Sequence, residues 1–443
     1  MCTGPIVTRL LLFAVPLVLS SVLQLLFNAA DVVVVGKYAG DNSLAAVGSV
    51  GPLINLMVSA FIGLSIGSNV LASRYYGSKN ETLLSKTVHT SMLVSFISGI
   101  ILAIAGFALA STILVWMNSP EETLPLATVY LKIYFLGMPA SMVYNFGSAL
   151  LRAVGDTRRP MYYLTFAGIV NVILNLIFVI NFHMDVAGVG LATVISQIIS
   201  AVLVIRCLML EEGALKLFIN KLSIDRDILI KITRIGLPAS FQGMLFSLSN
   251  VIIQSSVNSF GATVVAGNSA AQNIEGFVYV SMNAFYQACI SFVSANVGAR
   301  KYERINRILL RAEGCVIITG MLLGGLAYLF GYQLLSIYTD SEAVAAAGLV
   351  RMMYVSLPYF LCGMMDVMVG GLRGLGYAVL PMIVSLVGAC GLRLLWIFTF
   401  FRLPRFHEPR YLYITYPVSW TVTFVFHVIC YIIVKRRFDR MHS

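Results

Sequence analysis

Residues 10–36 read LLLFAVPLVLSSVLQLLFNAADVVVVG, a run of apolar residues long enough to decide where the chain lives. At about 1.5 Å per residue, a helix crosses a hydrocarbon core of roughly 30 Å in about 20 residues, so this segment spans a bilayer with a few to spare. It also carries Pro16, Gln24, Asn28 and Asp31. An ionised Asp at the centre of such a helix costs about 2.5 to 3.5 kcal/mol on insertion scales, so an intramembrane carboxylate is by default a functional candidate. Ser20, Gln24, Asn28 and Asp31 fall on one helical face. Asp31 therefore has two readings: a functional group, or an acid near the outer end of its span that snorkels to the interface.

The rest of the chain repeats the pattern. Its 443 residues are 59% hydrophobic and 11% charged, with mean hydropathy +0.88, whereas soluble domains carry about 25% charged residues. Twelve spans are predicted, at 8–35, 44–72, 84–112, 123–151, 159–182, 187–209, 228–257, 264–297, 306–332, 342–372, 378–401 and 412–434. The fold class is thus an all-α integral membrane protein. The first span exceeds the about 7 to 15 apolar residues of a signal peptide core and lacks a small-residue cleavage site, so it is expected to be retained.

An even number of spans puts both termini on one side. Of the 30 Lys and Arg, 23 fall on that side, and only Lys37, Lys132, Arg351, Arg393, Arg402, Arg405 and Arg410 do not. By the positive-inside rule the termini are cytoplasmic and the protein is a multi-pass component of the cell membrane. The net charge of +11 then needs no nucleic-acid partner, because the basic excess lies in loops facing an anionic leaflet. The seven Cys are scattered without a CxxC, and the five His form no metal spacing. No GxSxG, HExxH, P-loop or nucleotide fingerprint occurs, so neither a cofactor nor a resident metal is expected.

The two halves match at an offset of about 220 residues. Pro16 pairs with Pro238, Asn28 with Asn250, Gly77 with Gly298, Lys132 with Arg351 and Pro139 with Pro358. Leu151-Arg152-x-x-Gly155-x-x-x-x-Pro160 recurs as Leu372-Arg373-x-x-Gly376-x-x-x-x-Pro381. Internal duplication with six spans per copy predicts two pseudo-symmetric six-helix lobes, 1–210 and 232–443, joined by a charged linker at 211–231, with a central cleft. Gln24 and Asn28, and Asn250 and Gln254 on the seventh span, are expected to face substrate there. Acids break the symmetry: Asp31 falls opposite Ile253, and Asp366 opposite Asn145. Glu275 is a third embedded carboxylate.

Pro16, Gln24, Asn28, Asp31 and Gly36, then Ala45-Ala46-Val47-Gly48, Arg74-Tyr75-Tyr76-Gly77, the two Leu-Arg-x-x-Gly motifs and Tyr416-Pro417-x-Ser419-Trp420, resemble the multidrug and toxic compound extrusion (MATE) family. The resemblance implies secondary active export of organic cations and other amphipathic drugs, in exchange for H⁺ or Na⁺, by a monomer that meets only small-molecule substrates and membrane lipid. By the same resemblance, Asp31 binds the coupling cation, with Na⁺ as one option. Asn171 and Thr193 join its network, and Pro16 is a hinge. Where many members carry an Asp four residues after that Asn, this chain has Asn175, which leaves one formal charge beside neutral oxygens.

A buried carboxylate takes either a proton or a cation, and that competition suffices for antiport. Pro16 removes a backbone hydrogen bond, giving either a switching or a static kink. Met364, Met365 and Met368 around Asp366 suit a promiscuous cation site or plain packing. An ion pair between Asp366 and Arg393 is the cheapest account of both charges. For Glu275, cation binding and a hydrogen-bonded helix contact stay open. A lipid-linked precursor flippase of the same superfamily and, from another class, an intramembrane enzyme are the alternatives. Flippases of that kind commonly have more spans and a cationic cleft. An enzyme would need a nucleophile or metal motif beside the acids.

Overall fold

The structure, a computed structural model, describes residues 1–116 and 121–442. Seventeen α-helices are described: α1 (Ile6–Tyr38), α2 (Asp41–Gly77), α3 (Glu81–Trp116), α4 (Leu124–Leu136), α5 (Met138–Ala153), α6 (Arg158–Leu176), α7 (Asp185–Leu210), α8 (Arg226–Asn258), α9 (Ala262–Gly298), α10 (Tyr302–Leu329), α11 (Gly331–Ser336), α12 (Glu342–Tyr354), α13 (Phe360–Gly374), α14 (Val379–Ser385), α15 (Leu392–Phe398), α16 (Pro409–Tyr413) and α17 (Thr415–His442). No strand occurs among the described residues. Helices are the economical solution in lipid, where each backbone N–H and C=O must be satisfied within its own segment.

The helices follow the expected twelve-span pattern. Among the described residues ten helical stretches are long and apolar enough to cross a membrane, and α4 with α5, bent by 46° at their junction, makes an eleventh. The expected span 342–372 is split into α12 and α13, of 13 and 15 residues, with Pro358 in the break. Its repeat partner is split likewise, beside Pro139. Proline disfavours helical geometry in the residue before it, so the paired breaks follow from the paired prolines.

The duplication extends to single backbone angles. Gly40 and Gly261 precede α2 and α9 with φ of 88° and 90°, and Lys79 and Arg300 follow them with φ of 57° and 55°. The Leu-Arg-x-x-Gly motif is a helix stop. Gly155 and Gly376 take φ of 95° and 99°, and their N–H groups donate to the carbonyls of Arg152 and Arg373 at 2.9 Å. The next N–H groups, of Asp156 and Tyr377, donate to Leu151 and Leu372 at 3.0 Å. This is the Schellman arrangement, which uses a residue that tolerates positive φ to satisfy the last carbonyls of a helix.

The chain forms two compact units. One is Leu19–Ser240, and the other joins Met1–Val18 to Phe241–Ser443. The partition at 210 and 232 follows the repeat; the compact units divide elsewhere, inside α1 and α8, just beyond Pro16 and Pro238. Within the first unit, α2 and the start of α8 approach closely: a Cβ on Gly67 would lie 2.3 Å from the carbonyl oxygen of Ile232, the small-residue contact that membrane helices use in place of hydrophobic association. In the second, Leu10, Phe13, Ala14 and Leu17 pack into a core with α9, and Phe13 meets Phe292 edge-on at 5.5 Å.

Candidate functional site

Unit Leu19–Ser240 encloses a cavity of about 440 Å³. Gln24, Asn28 and Asp31 from α1 line it, with Asn171 from α6 and Thr193 from α7, so one cavity gathers five of the expected site residues. Tyr130 and Tyr134 from α4 complete a wall, as do Ser196, Gln197 and Ser200 from α7. Asn175, fully buried, stands one turn beyond Asn171 on the same face of α6 and donates its side-chain N–H to Asp31 Oδ1. Asn171 is best satisfied with its amide nitrogen toward the acid, donating to the same oxygen at 2.9 Å. Thr193 lies on its other side, its hydroxyl tied to the Val189 carbonyl at 2.9 Å. Gly168 makes the approach of α1 possible: a Cβ there would fall 1.9 Å from the Phe27 ring.

Two donors on Oδ1 leave the rest of the site unfinished. Among the described residues no hydrogen bond reaches Asp31 Oδ2, and the buried Asn175 Oδ1 has no partner. A buried oxygen without a partner, as Asn175 Oδ1 is, costs free energy that something must recover. The site offers a carboxylate, amide oxygens and a hydroxyl, a donor set that suits a proton or a hard monovalent cation. No group of three or more His, Cys, Asp and Glu capable of holding a metal occurs among the described residues.

The other embedded charges lie in the second unit. Glu275 on α9 receives Arg351 Nη2 at 2.7 Å and Arg351 Nε at 3.1 and 3.2 Å on its two oxygens, and Ser356 Oγ at 3.1 Å. Arg351 Nη1 continues to Asn268 Oδ1 at 2.8 Å, and Asn268 Nδ2 donates to Gln254 Oε1 at 3.1 Å. Glu275 thus makes the hydrogen-bonded helix contact, in a buried network that reaches the half-buried Gln254. Asn250 is exposed and makes no hydrogen bond among the described residues. The expected Asp366–Arg393 ion pair is not formed: Arg393 Nε donates to Ser419 Oγ at 2.8 Å and its guanidinium lies 4.2 Å from the Tyr416 ring centre. The aromatic face and hydroxyl stabilise that cation instead. Asp366 makes no hydrogen bond among the described residues. Pro16 sits inside an uninterrupted α1.

Sequence reasoning missed Arg351 and Asn268, whose roles show only once α9 and α12 are packed together. It also missed Glu313 on α10, buried with neither oxygen partnered.

A protein-family model, MatE, matches residues 16–177 and again 238–399, one match per repeat. The chain belongs to the MatE family. Two relatives show its range. The probable multidrug resistance protein YoeA of Bacillus subtilis is 29% identical over 389 residues, covering 86% of this chain and 84% of that one. A protein of Shewanella oneidensis named as an FAD transporter is 24% identical over 77% of this chain and 76% of its own. A solved outward-facing multidrug resistance MATE transporter superposes with a TM-score of 0.91 at 21% identity, covering 99% of this chain and 97% of that one. MatE proteins are multi-pass membrane transporters of small molecules, which sets aside the enzyme alternative.

Proposed function

We propose that this MatE chain is a secondary active exporter of organic cations or amphipathic drugs, driven by H⁺ or Na⁺ entering at Asp31. The observation that carries the reading is the unfinished coordination around Asp31, which lines a cavity with Gln24 and Asn28, keeps one carboxylate oxygen without a hydrogen bond among the described residues, and has the orphaned Oδ1 of Asn175 behind it. A coupling ion completes the site, and its arrival removes the charge that retains a cationic passenger. Pro16 is the point at which α1 yields as the site fills. Six-helix lobes at 1–210 and 232–443 with a linker at 211–231, cytoplasmic termini, residence in the cell membrane and action as a monomer belong to the same proposal.

The test is transport in proteoliposomes. Ethidium should move against its gradient when an H⁺ or a Na⁺ gradient is imposed, each tried alone, and Asp31→Asn should fold yet abolish the coupled movement. Uphill transport by Asp31→Asn at normal rate sinks the proposal. FAD, the cargo named for the Shewanella relative, serves as an anionic control.

A further inference from the structure

In the second unit, α13 packs against both α10 and α17, and a pocket of about 590 Å³ opens between the three. Three helical stripes line it: Leu310 and Glu313 on α10, Met364 and Met368 one turn apart on α13, Phe424 and Tyr431 on α17. The lining is mostly apolar, yet Glu313 stands in it, only 9% exposed, with neither carboxylate oxygen hydrogen-bonded. Two neighbours that could have answered it are engaged elsewhere, and Arg436, also in the lining, makes no hydrogen bond to it among the described residues. Tyr431 gives its hydroxyl to Asn306 Oδ1 at 2.7 Å, and the Lys435 amine is held by Asp439. At the repeat offset that aligns Gly99 with Gly320, Glu313 falls opposite Met92, a buried apolar residue, so the fold itself does not require an acid here.

We propose that this pocket is a binding site for a hydrophobic organic monocation, with Glu313 as its counter-charge. A buried acid persists only if something neutralises it, and the two basic residues of this wall do not: Lys435 is held by Asp439, and Arg436 makes no ion pair with Glu313 among the described residues. The volume falls within the range of drug-sized sites. Thioethers at Met364 and Met368 mould to irregular apolar bodies, and the faces of Phe424 and Tyr431 attract cationic rings. Leu310 and Ile432 in the lining are 71% and 44% exposed, so one side of the mouth is apolar and admits a ligand already dissolved in the bilayer, while Asn306, Arg436 and Asp439 form its polar side. The site shares no residue with the Asp31 cavity and stands whether or not the export reading does.

The experiment uses the full chain in lipid nanodiscs and equilibrium titration with ethidium. Asp31→Asn removes the first acid and should leave ethidium binding at the second. Adding Glu313→Gln should weaken that residual binding about tenfold or more, as expected when one member of a desolvated charge pair is lost. Met368→Trp, which fills the pocket and keeps the acid, should weaken it comparably. Phenanthridine, the uncharged parent ring of ethidium, should bind the protein equally with and without Glu313→Gln. The proposal is overturned if neither Glu313→Gln nor Met368→Trp changes the affinity of the Asp31→Asn protein for ethidium. It is also overturned if phenanthridine loses as much affinity as ethidium on Glu313→Gln, which would make the pocket an apolar groove for lipid chains.

Discussion

Arg351 holds Glu275 with Nη2 2.7 Å from Oε2, each side chain only 4% exposed. The pair joins α9 to α12 and leaves neither charge free for a passenger. Breaking a buried pair strands the remaining ion, at a cost of about 3 to 5 kcal/mol. Glu275→Gln should therefore lower the thermal unfolding temperature sharply and reduce folded yield, measured by fluorescence-detected size exclusion after heating. Glu275→Leu combined with Arg351→Met should recover much of the loss. If Glu275→Gln leaves stability intact and alters only drug affinity, the structural role assigned to this acid is wrong.

Asn175 supplies Asp31 with a donor and presents an oxygen that nothing on the described chain claims. Asn175→Leu keeps the bulk and removes both. Coupled transport should fall at least about tenfold, equivalent to about 1.4 kcal/mol, with thermal stability little changed. Asn175→Asp should raise affinity for a monovalent cation, read as radioactive sodium retained at equilibrium.

Gly168 and Phe27 form a lock and a bolt beside the acid. Gly168→Val should push the Phe27 ring, and α1 with it, away from α6, lowering transport. Phe27→Ala on that background makes room for the new side chain and should restore part of the rate. A double variant no better than the single would show that the contact does not set the position of Asp31.

Asp225 lies outside the spans, where Lys86 at 2.9 Å holds its carboxyl below the usual carboxylate range. Its Oδ1 also accepts from the backbone N–H groups of Asp227 and Ile228 at the start of α8. Because the folded-state value is depressed, the stabilisation is full above the ordinary carboxylate range and is lost as pH falls through the lowered value. Amide exchange at the first turn of α8 should accelerate, beyond its intrinsic pH trend, on acidification through that window. Asp225→Ala should show fast exchange at neutral pH already.

The spans, the duplication and the Asp31 face were legible because each rests on periodicity and length, which a chain displays directly. Asn171, Asn175 and Thr193 were reached through family resemblance rather than spacing. The Asp366–Arg393 pairing failed on a matter of depth. Along its expected span Asp366 sits about 9 Å from one end, whereas Arg393 sits about 12 Å from the end on the opposite membrane face, at about 1.5 Å per residue. Glu275 and Arg351, counted the same way, lie at nearly equal depth. Charge neutrality suggested partners, and measuring depth along each helix would have chosen between them. Glu313 escaped because a single acid near a charged helix end reads as interfacial, and only packing reveals that it is enclosed.

The unit that contains Met1–Val18 also contains everything after Ser240. Its first piece therefore leaves the ribosome more than 200 residues ahead of the rest. Leu10, Phe13 and Leu17 must wait, unburied by their final neighbours, while the whole of Leu19–Ser240 is made and inserted. Cutting the gene at the linker would hand each fragment a segment that belongs to the other, so biogenesis of this transporter is a closing of the chain upon its own beginning.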